Sequence, residues 1–294
     1  MSKKFLALIC FLFVSISVPL VAAEAATGLY FKGPIDGVSV GDEFSVEILI
    51  DSDQPLNAYS FVLKYPTDNL QVIGFNSANS IIDVQREEPQ VFEGGSIKFA
   101  GASLKPFSGR GGIISIINFK ALRSGNETLN FSEPKVYLAD GKGTKVVPGF
   151  KSIDIKIGEA VGTIPHKIEF NDIKPPEIVI LNLTKDPITS GRKLLSFLIK
   201  DDVSGVKEIL YREMRWFWWG EFQKAQNPSA LPLRTWAVEI KAIDNAGNVT
   251  QRTIYDWGAL VKSYFLLWFV IVLAAILVIN RLIRRKVYNN RSNG

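Results

Sequence analysis

The sequence predicts an all-β fold, two successive sandwiches, closed by one C-terminal transmembrane helix. Three observations carry this. Short runs alternating apolar and polar residues fill residues 28–158 and 177–257, and no helical period of useful length interrupts them. Turn residues punctuate the runs, as at Asp36-Gly37, Gly94-Gly95, Ser124-Gly125-Asn126 and Asp140-Gly141. Residues 263–280 then form a stretch of about eighteen without a charge.

The N-terminus reads as an export signal, residues 1–25. Lys3 and Lys4 precede an apolar run from Phe5 to Val21, and small residues follow at Ala22, Ala23, Ala25 and Ala26. Cleavage after Ala23 or after Ala25 fits equally, and an uncleaved anchor is the alternative. Cys10 is the only cysteine and lies inside this run, so a processed chain has no thiol and forms no disulfide. Its cores must hold it together, and the chain is long enough for that. The formal charge is +5, but it comes from the ends. Of the 34 basic residues, two lie in the signal and five follow Asn280, and of the 29 acids only Glu24 lies in the signal; the rest of the chain balances 27 basic residues against 28 acids. Such a balance gives no support to nucleic-acid binding.

Residues 26–158 read as the first sandwich. Phe44, Val46, Ile48 and Ile50 alternate with Ser45, Glu47, Leu49 and Asp51; Tyr59, Phe61, Leu63 and Tyr65 alternate with Ser60, Val62 and Lys64. Ile113, Ser115, Ile117, Phe119 and Ala121 keep the same period. Such rows place one set of side chains in a core and the other in solvent. Many short strands in one segment of this size argue for two packed sheets.

Five pieces stand in a telling order here. Val40-Gly41-Asp42-Glu43-Phe44 comes first, then Phe61-Val62-Leu63-Lys64-Tyr65-Pro66 leading into Leu70. Ile97-Lys98-Phe99-Ala100-Gly101 follows, then Gly111-Gly112-Ile113 through Phe119-Lys120-Ala121, and last Val136-Tyr137-Leu138-Ala139-Asp140-Gly141. The order resembles a cohesin domain. The resemblance implies a jelly-roll sandwich that binds a calcium-loaded dockerin domain on one sheet face, in assemblies that degrade polysaccharides. Where type I cohesins often carry Asn-x-Asp-Phe on the contacting strand, this chain has Ala58-Tyr59-Ser60-Phe61, and no dockerin-binding residue carries over.

Residues 159–176 read as a linker, ending in Lys174-Pro175-Pro176, which favours a stiff, extended spacer. It holds the only histidine, His166, expected to be exposed and without a role.

Residues 177–257 read as the second sandwich. Trp236, Val238, Ile240 and Ala242 alternate with Ala237, Glu239 and Lys241. Asp201-Asp202-Val203-Ser204-Gly205 and Asp244-Asn245-Ala246-Gly247-Asn248 read as turns, and together they resemble the turns of bacterial immunoglobulin-like modules, which implies a stalk or spacer. Asp201, Asp202 and Asp244 have two readings, calcium ligands or caps of loop amides; capping is the commoner use of such residues. Arg215-Trp216-Phe217-Trp218-Trp219-Gly220 is the least expected stretch. Read as a strand, it sends Trp216 and Trp218 to one face and Phe217 and Trp219 to the other, with Gly220 at a hairpin tip. Core packing, headgroup contact and ligand stacking all remain open, and Trp218 and Trp219 are the candidate ligand-contact residues.

Residues 260–280 are the expected transmembrane helix, and 281–294 a cytoplasmic tail. Tyr264 and Trp268 suit one interface; Arg281, Arg284, Arg285 and Lys286 suit the cytoplasmic side, which puts everything upstream outside the cell.

Catalytic chemistry has little to work with. One linker histidine and no mature thiol leave no nucleophile triad and no His/Cys zinc site, so neither catalytic nor metal residues nor a cofactor are expected. Gly109-Arg110-Gly111-Gly112 and Gly141-Lys142-Gly143-Thr144 lack the spacing of a phosphate loop. The expectation is a membrane-anchored, cell-surface binding protein whose partner is a protein, dockerin-like by resemblance. The alternatives are a module binding surface polysaccharide and a structural envelope or adhesion protein.

Overall fold

The computed structural model describes residues 27–85, 89–160, 162, 164–188 and 192–292. The expected signal, residues 1–25, lies outside them, and so does the site of its cleavage. The described chain is two β units with separate cores, followed by one long helix.

The first unit contains β1 (Gly28–Lys32), β2 (Val38–Ser39), β3 (Glu43–Lys64), β4 (Leu70–Asn76), β5 (Val84–Gln85), β6 (Gln90–Phe92), β7 (Ser96–Ala121), β8 (Gly125–Leu138), β9 (Lys145–Val146), β10 (Gly149–Phe150) and β11 (Ile153–Gly158). β3 and β7 serve both layers. The first half of β3 pairs with β1 and with the second half of β7, which carries β4 on its far side. The second half of β3 pairs with the first half of β7 and with β8. β5 and β6 extend that layer beyond β7, and β11 with β2 extends it beyond β8.

The long strands pass between layers because bulges break their register. On β3 the shifts fall between Ile48 and Leu49 and again from Ile50 to Ala58. An extra unpaired residue bends a strand and increases its twist. The bend holds Ser52, whose hydroxyl is 3.2 Å from that of Thr27 and donates to the Gln54 carbonyl at 2.8 Å. These bonds satisfy groups that the ladder leaves unpaired.

The rows expected to face inward do so. Phe44, Val46, Ile48, Ile50, Tyr59, Phe61, Leu63 and Tyr65 are all buried. The third row holds from Ser115 to Ala121, but Ile114, not Ile113, is buried before it. The register shift opposite Ile48 and Leu49 skips Ile114 and reverses the phase. Aromatic rings fill the centre: Phe31 stacks on Phe131 at 4.0 Å, and Phe61 meets Phe99 at 5.0 Å and the edge of Phe131 at 5.5 Å.

The second unit contains β12 (Glu177–Lys185), β13 (Lys193–Lys200), β14 (Val206–Arg215), β15 (Trp218–Trp219), β16 (Gln223–Lys224), β17 (Ser229–Leu231), β18 (Ala237–Asp244) and β19 (Val249–Tyr255). One sheet runs β12-β13-β17; the other runs β15-β14-β18-β19, with β16 also on β14. Leu195, Phe197 and Leu231 from the first sheet meet Tyr211, Val238 and Ile240 from the second in one core.

The linker is tied down at both ends. The Glu43 amide donates to the His166 carbonyl at 2.8 Å, and the His166 amide donates to Asp42 Oδ1 at 2.7 Å. Asn248 Nδ2 donates to the Asp172 carbonyl at 3.0 Å. The two units also touch directly. Lys200 pairs with Asp83, Asn79 Nδ2 donates to the Asp202 carbonyl at 3.0 Å, and Gly205 lies against Asn76 and Ala78.

The helix α1 (Trp257–Ser292) begins three residues earlier than expected and continues through the basic residues. Within it, Leu267–Arg284 is long and apolar enough to cross a membrane, and none of that window is buried against the rest of the chain.

Candidate functional site

Among the described residues, three places bring chemistry-bearing side chains together. The first is the outer face of the layer formed by β3, β7 and β8. Inward Tyr59, Phe61 and Leu63 leave Ala58, Ser60, Val62 and Lys64 pointing out. Ser60 lies between Ala100 and Lys135, Val62 between Lys98 and Ser132, and Ala58 between Ala102 and Tyr137. The centre is therefore flat, floored by small side chains and bordered by Lys64, Lys98 and Lys135. Lys135 has an acidic neighbour, Glu133, at 3.5 Å. Beneath this face Tyr59 is 2 % exposed. Its hydroxyl donates to the Leu56 carbonyl and accepts from Ser103, and burial pushes its pKa up. Tyr59 thus supports the face from below as a neutral phenol.

The second place is the base of the second unit, where α1 begins. Asp256 caps the helix: its Oδ1 accepts from the Ala259 amide at 2.8 Å. Lys193 pairs with Asp256, and the hydrogen bond it donates, with that of the Ala259 amide second, holds the carboxyl below its usual range. A third hydrophobic cluster follows, built from Trp236, Ala237 and Tyr264 with Met214, Trp219, Ala259 and Leu260 packed around them. Tyr264 is buried, and its hydroxyl has no hydrogen-bond partner among the described residues.

The hairpin tip against this cluster differs from expectation. The turn consists of Trp216 and Phe217, because Arg215 pairs with Trp218 and Met214 with Trp219; Gly220 lies after β15. Trp216 and Phe217 share a side, with rings 5.3 and 5.5 Å from that of Tyr264. Trp218 is 79 % exposed, whereas Trp219 packs into the cluster with the Arg212 guanidinium 5.0 Å from its ring centroid. Trp218 and Trp219 therefore form no common platform.

The third place is the junction of linker and second unit. Asp172, Asp201 and Asp244 each present a carboxylate oxygen within 4.8 Å of the others, a spacing that suits a hard cation with oxygen ligands. Loop amides engage the same carboxylates. Asp201 Oδ1 accepts from the amides of Ser204 at 2.9 Å and Gly205 at 2.6 Å, and Asp244 Oδ1 accepts from the Asn248 amide at 2.7 Å. Asp172 accepts from the Lys174 amide at 2.8 Å, the main cause of its lowered pKa. Capping accounts for these contacts without an ion. Asp202 is outside the group and Asp172 takes its place. Sequence reasoning missed Asp172 because only the docked linker brings it near.

His166, exposed in the linker, sets its Nδ1 3.0 Å from the Glu43 carbonyl, and its amide is held by Asp42.

A scan against protein-family models and a search of curated proteins give no match. Solved structures similar to part of the chain are cohesin modules. One, from a family 33 glycoside hydrolase of Clostridium perfringens, is 20 % identical, with 46 % of this chain and 99 % of that chain covered and a TM-score of 0.41. A non-cellulosomal cohesin from Archaeoglobus fulgidus is 21 % identical over 45 % of this chain and 91 % of its own, at a TM-score of 0.39. A cohesin–dockerin complex from Clostridium thermocellum matches 47 % of this chain and 96 % of its own with 10 % identity and a TM-score of 0.40.

Proposed function

We propose that this chain is a non-enzymatic, single-pass surface protein whose first unit grips a protein partner on the outer face of β3, β7 and β8. The observation that carries the reading is the face itself. Ala58, Ser60, Ala100 and Ala102 in register at its centre leave a floor of small side chains, and the lysines beside it favour a partner of negative charge. Flat floors of this kind admit an interface of standard size, about 800 Å² per partner. The five ordered motifs of the sequence add the partner class, a dockerin-like module, and through it a link to polysaccharide degradation. The second unit serves as a spacer and α1 as the anchor, with the basic residues from Arg281 onward on the cytoplasmic side.

The test blocks the floor without touching the core. Ser60→Trp combined with Ala100→Trp places two bulky rings on the face. Capture from secreted proteins by the wild-type chain, followed by the same capture with the double variant, should lose the specific partner. A partner retained equally by both chains refutes this face as the binding site.

A further inference from the structure

The geometry points to a second contact with the bilayer: the hairpin tip Trp216-Phe217-Trp218 sits in the headgroup layer beside α1 and fixes the tilt of the second unit. The inference rests on the reading of α1 as the membrane anchor and goes beyond it.

Depth is the first argument. The tip rings pack against Tyr264, that of Trp216 tilted at 5.3 Å and that of Phe217 stacked at 5.5 Å. Tyr264 lies at the outer end of the uncharged stretch 263–280, which is long enough to cross the hydrocarbon and leaves Arg281 outside it. At about 1.5 Å rise per residue the tip is within about 2 Å of the hydrocarbon edge. The headgroup region extends about 5–8 Å on each side of the hydrocarbon. The rings are therefore inside that layer and not above it.

Chemistry is the second. Trp216 is 50 % exposed, Phe217 55 % and Trp218 79 %, although each is large and apolar. Trp257, at the start of the helix, is also exposed. Aromatic rings with a polar edge favour the interface between lipid and water. Cations stand beside them: the Arg234 guanidinium is 6.0 Å from the Trp216 ring, and Lys262 is exposed on the helix. Two acids at this end are engaged, Asp256 with Lys193 and Glu213 with Arg215 and Gln223, while Glu221 after β15 is exposed. Arg234 and Lys262 offer positive charge to phosphate groups beside the rings.

The backbone supplies the third. Trp216 has φ 58° in a two-residue hairpin loop, a position that ordinarily falls to glycine, asparagine or aspartate. Trp236 holds the turn there, its Nε1 donating to the Trp216 carbonyl at 2.8 Å. A strained, anchored turn that displays rings to solvent is poor design for a free stalk and good design for a surface that lipid covers.

The experiment uses the full chain in phosphatidylcholine–phosphatidylglycerol vesicles, with Cys10→Ala removing the native thiol. An environment-sensitive dye is attached in turn at Phe217→Cys, Trp218→Cys, Val278→Cys inside the apolar window, and Lys105→Cys on the first unit. Quenching by lipids with a nitroxide near the headgroup is then read. The expected result is quenching at positions 217 and 218 severalfold above that at 105, with position 278 reached by a deep nitroxide. Quenching at 278 with 217 and 218 no stronger than 105 overturns the tip contact and leaves the anchor standing. No quenching at 278 removes the anchor, and the inference falls with it. Trp218→Cys keeps the trial decisive if Phe217→Cys disturbs the packing on Tyr264.

Discussion

Replacing Gly205 with alanine tests the seam between the two β units. Gly205 has φ +73°, and a Cβ there would sit 1.9 Å from Asn76 Oδ1 and 2.9 Å from the Ala78 amide nitrogen. Asn76 cannot simply swing away, because its Oδ1 accepts from that amide at 2.7 Å and the side chain is buried. The turn cannot yield either, since the Gly205 amide donates to Asp201 Oδ1. The left-handed backbone costs an alanine roughly 1–2 kcal/mol. Forcing a methyl into packed surroundings adds about 1–3 kcal/mol, and losing the Asn76 cap about 1 kcal/mol more. The total is about 3–6 kcal/mol. Gly247→Ala is the matched control, with φ +93° and nothing within 4 Å of its Cβ. It should cost only the backbone part, about 1–2 kcal/mol. Thermal melting of the full chain in micelles, followed by circular dichroism, compares the two. Each kcal/mol moves the midpoint by about 2–4 °C at this size. Equal shifts for the two variants would show that the seam carries no steric load and refute the docking of the units.

Three further outcomes are expected. Tyr264→Phe removes a buried hydroxyl without a partner and should leave stability unchanged or raise it by about 1 kcal/mol, whereas Tyr264→Ala should lower it by about 3–5 kcal/mol; a loss with Phe would show that the hydroxyl is satisfied. Asp256 has a depressed pKa, so its contribution is fully present above the unfolded value near 3.9 and lost as pH falls through the lower folded value. Asp256→Asn should therefore lower the melting midpoint at pH 6, by about 1 kcal/mol or less for a pair this exposed, and the gap should close under strong acid; a gap independent of pH would sink the ion-pair account. Asp201→Ala strips the acceptor from the Ser204 and Gly205 amides and should cost at least about 2 kcal/mol, read as a lower melting midpoint, with an unchanged midpoint counting against the cap.

The strands were legible because each core row obeys one local rule. Phe44 to Ile50 and Tyr59 to Tyr65 alternate without interruption, and both rows are buried as expected. What escaped were features set by pairing across the chain. The bulges that carry β3 from one layer to the other depend on the register with β7, and the alternation around Ile113 reverses for the same reason. The tip at Trp216 escaped for a different reason. Its first turn residue takes a backbone conformation that its side chain disfavours, so a search for turn residues settles on Gly220 instead. The flat face was half visible: Ala58 and Ser60 can be read off the sequence, but their alignment with Ala100 and Lys135 cannot.

The ties along residues 164–174 carry a consequence for reach. A chain swinging on a loose tether would sweep its head through a broad dome over the cell. Here hydrogen bonds from Asp42, Glu43 and Asn248 remove that freedom, and Lys200 with Asp83 braces the joint. The first unit is thus held at one heading to the second, and with α1 as the proposed anchor it would be carried at one height. Ligands arrayed at that height would find many copies presented alike and gain avidity, whereas ligands closer in or farther out would find none within range.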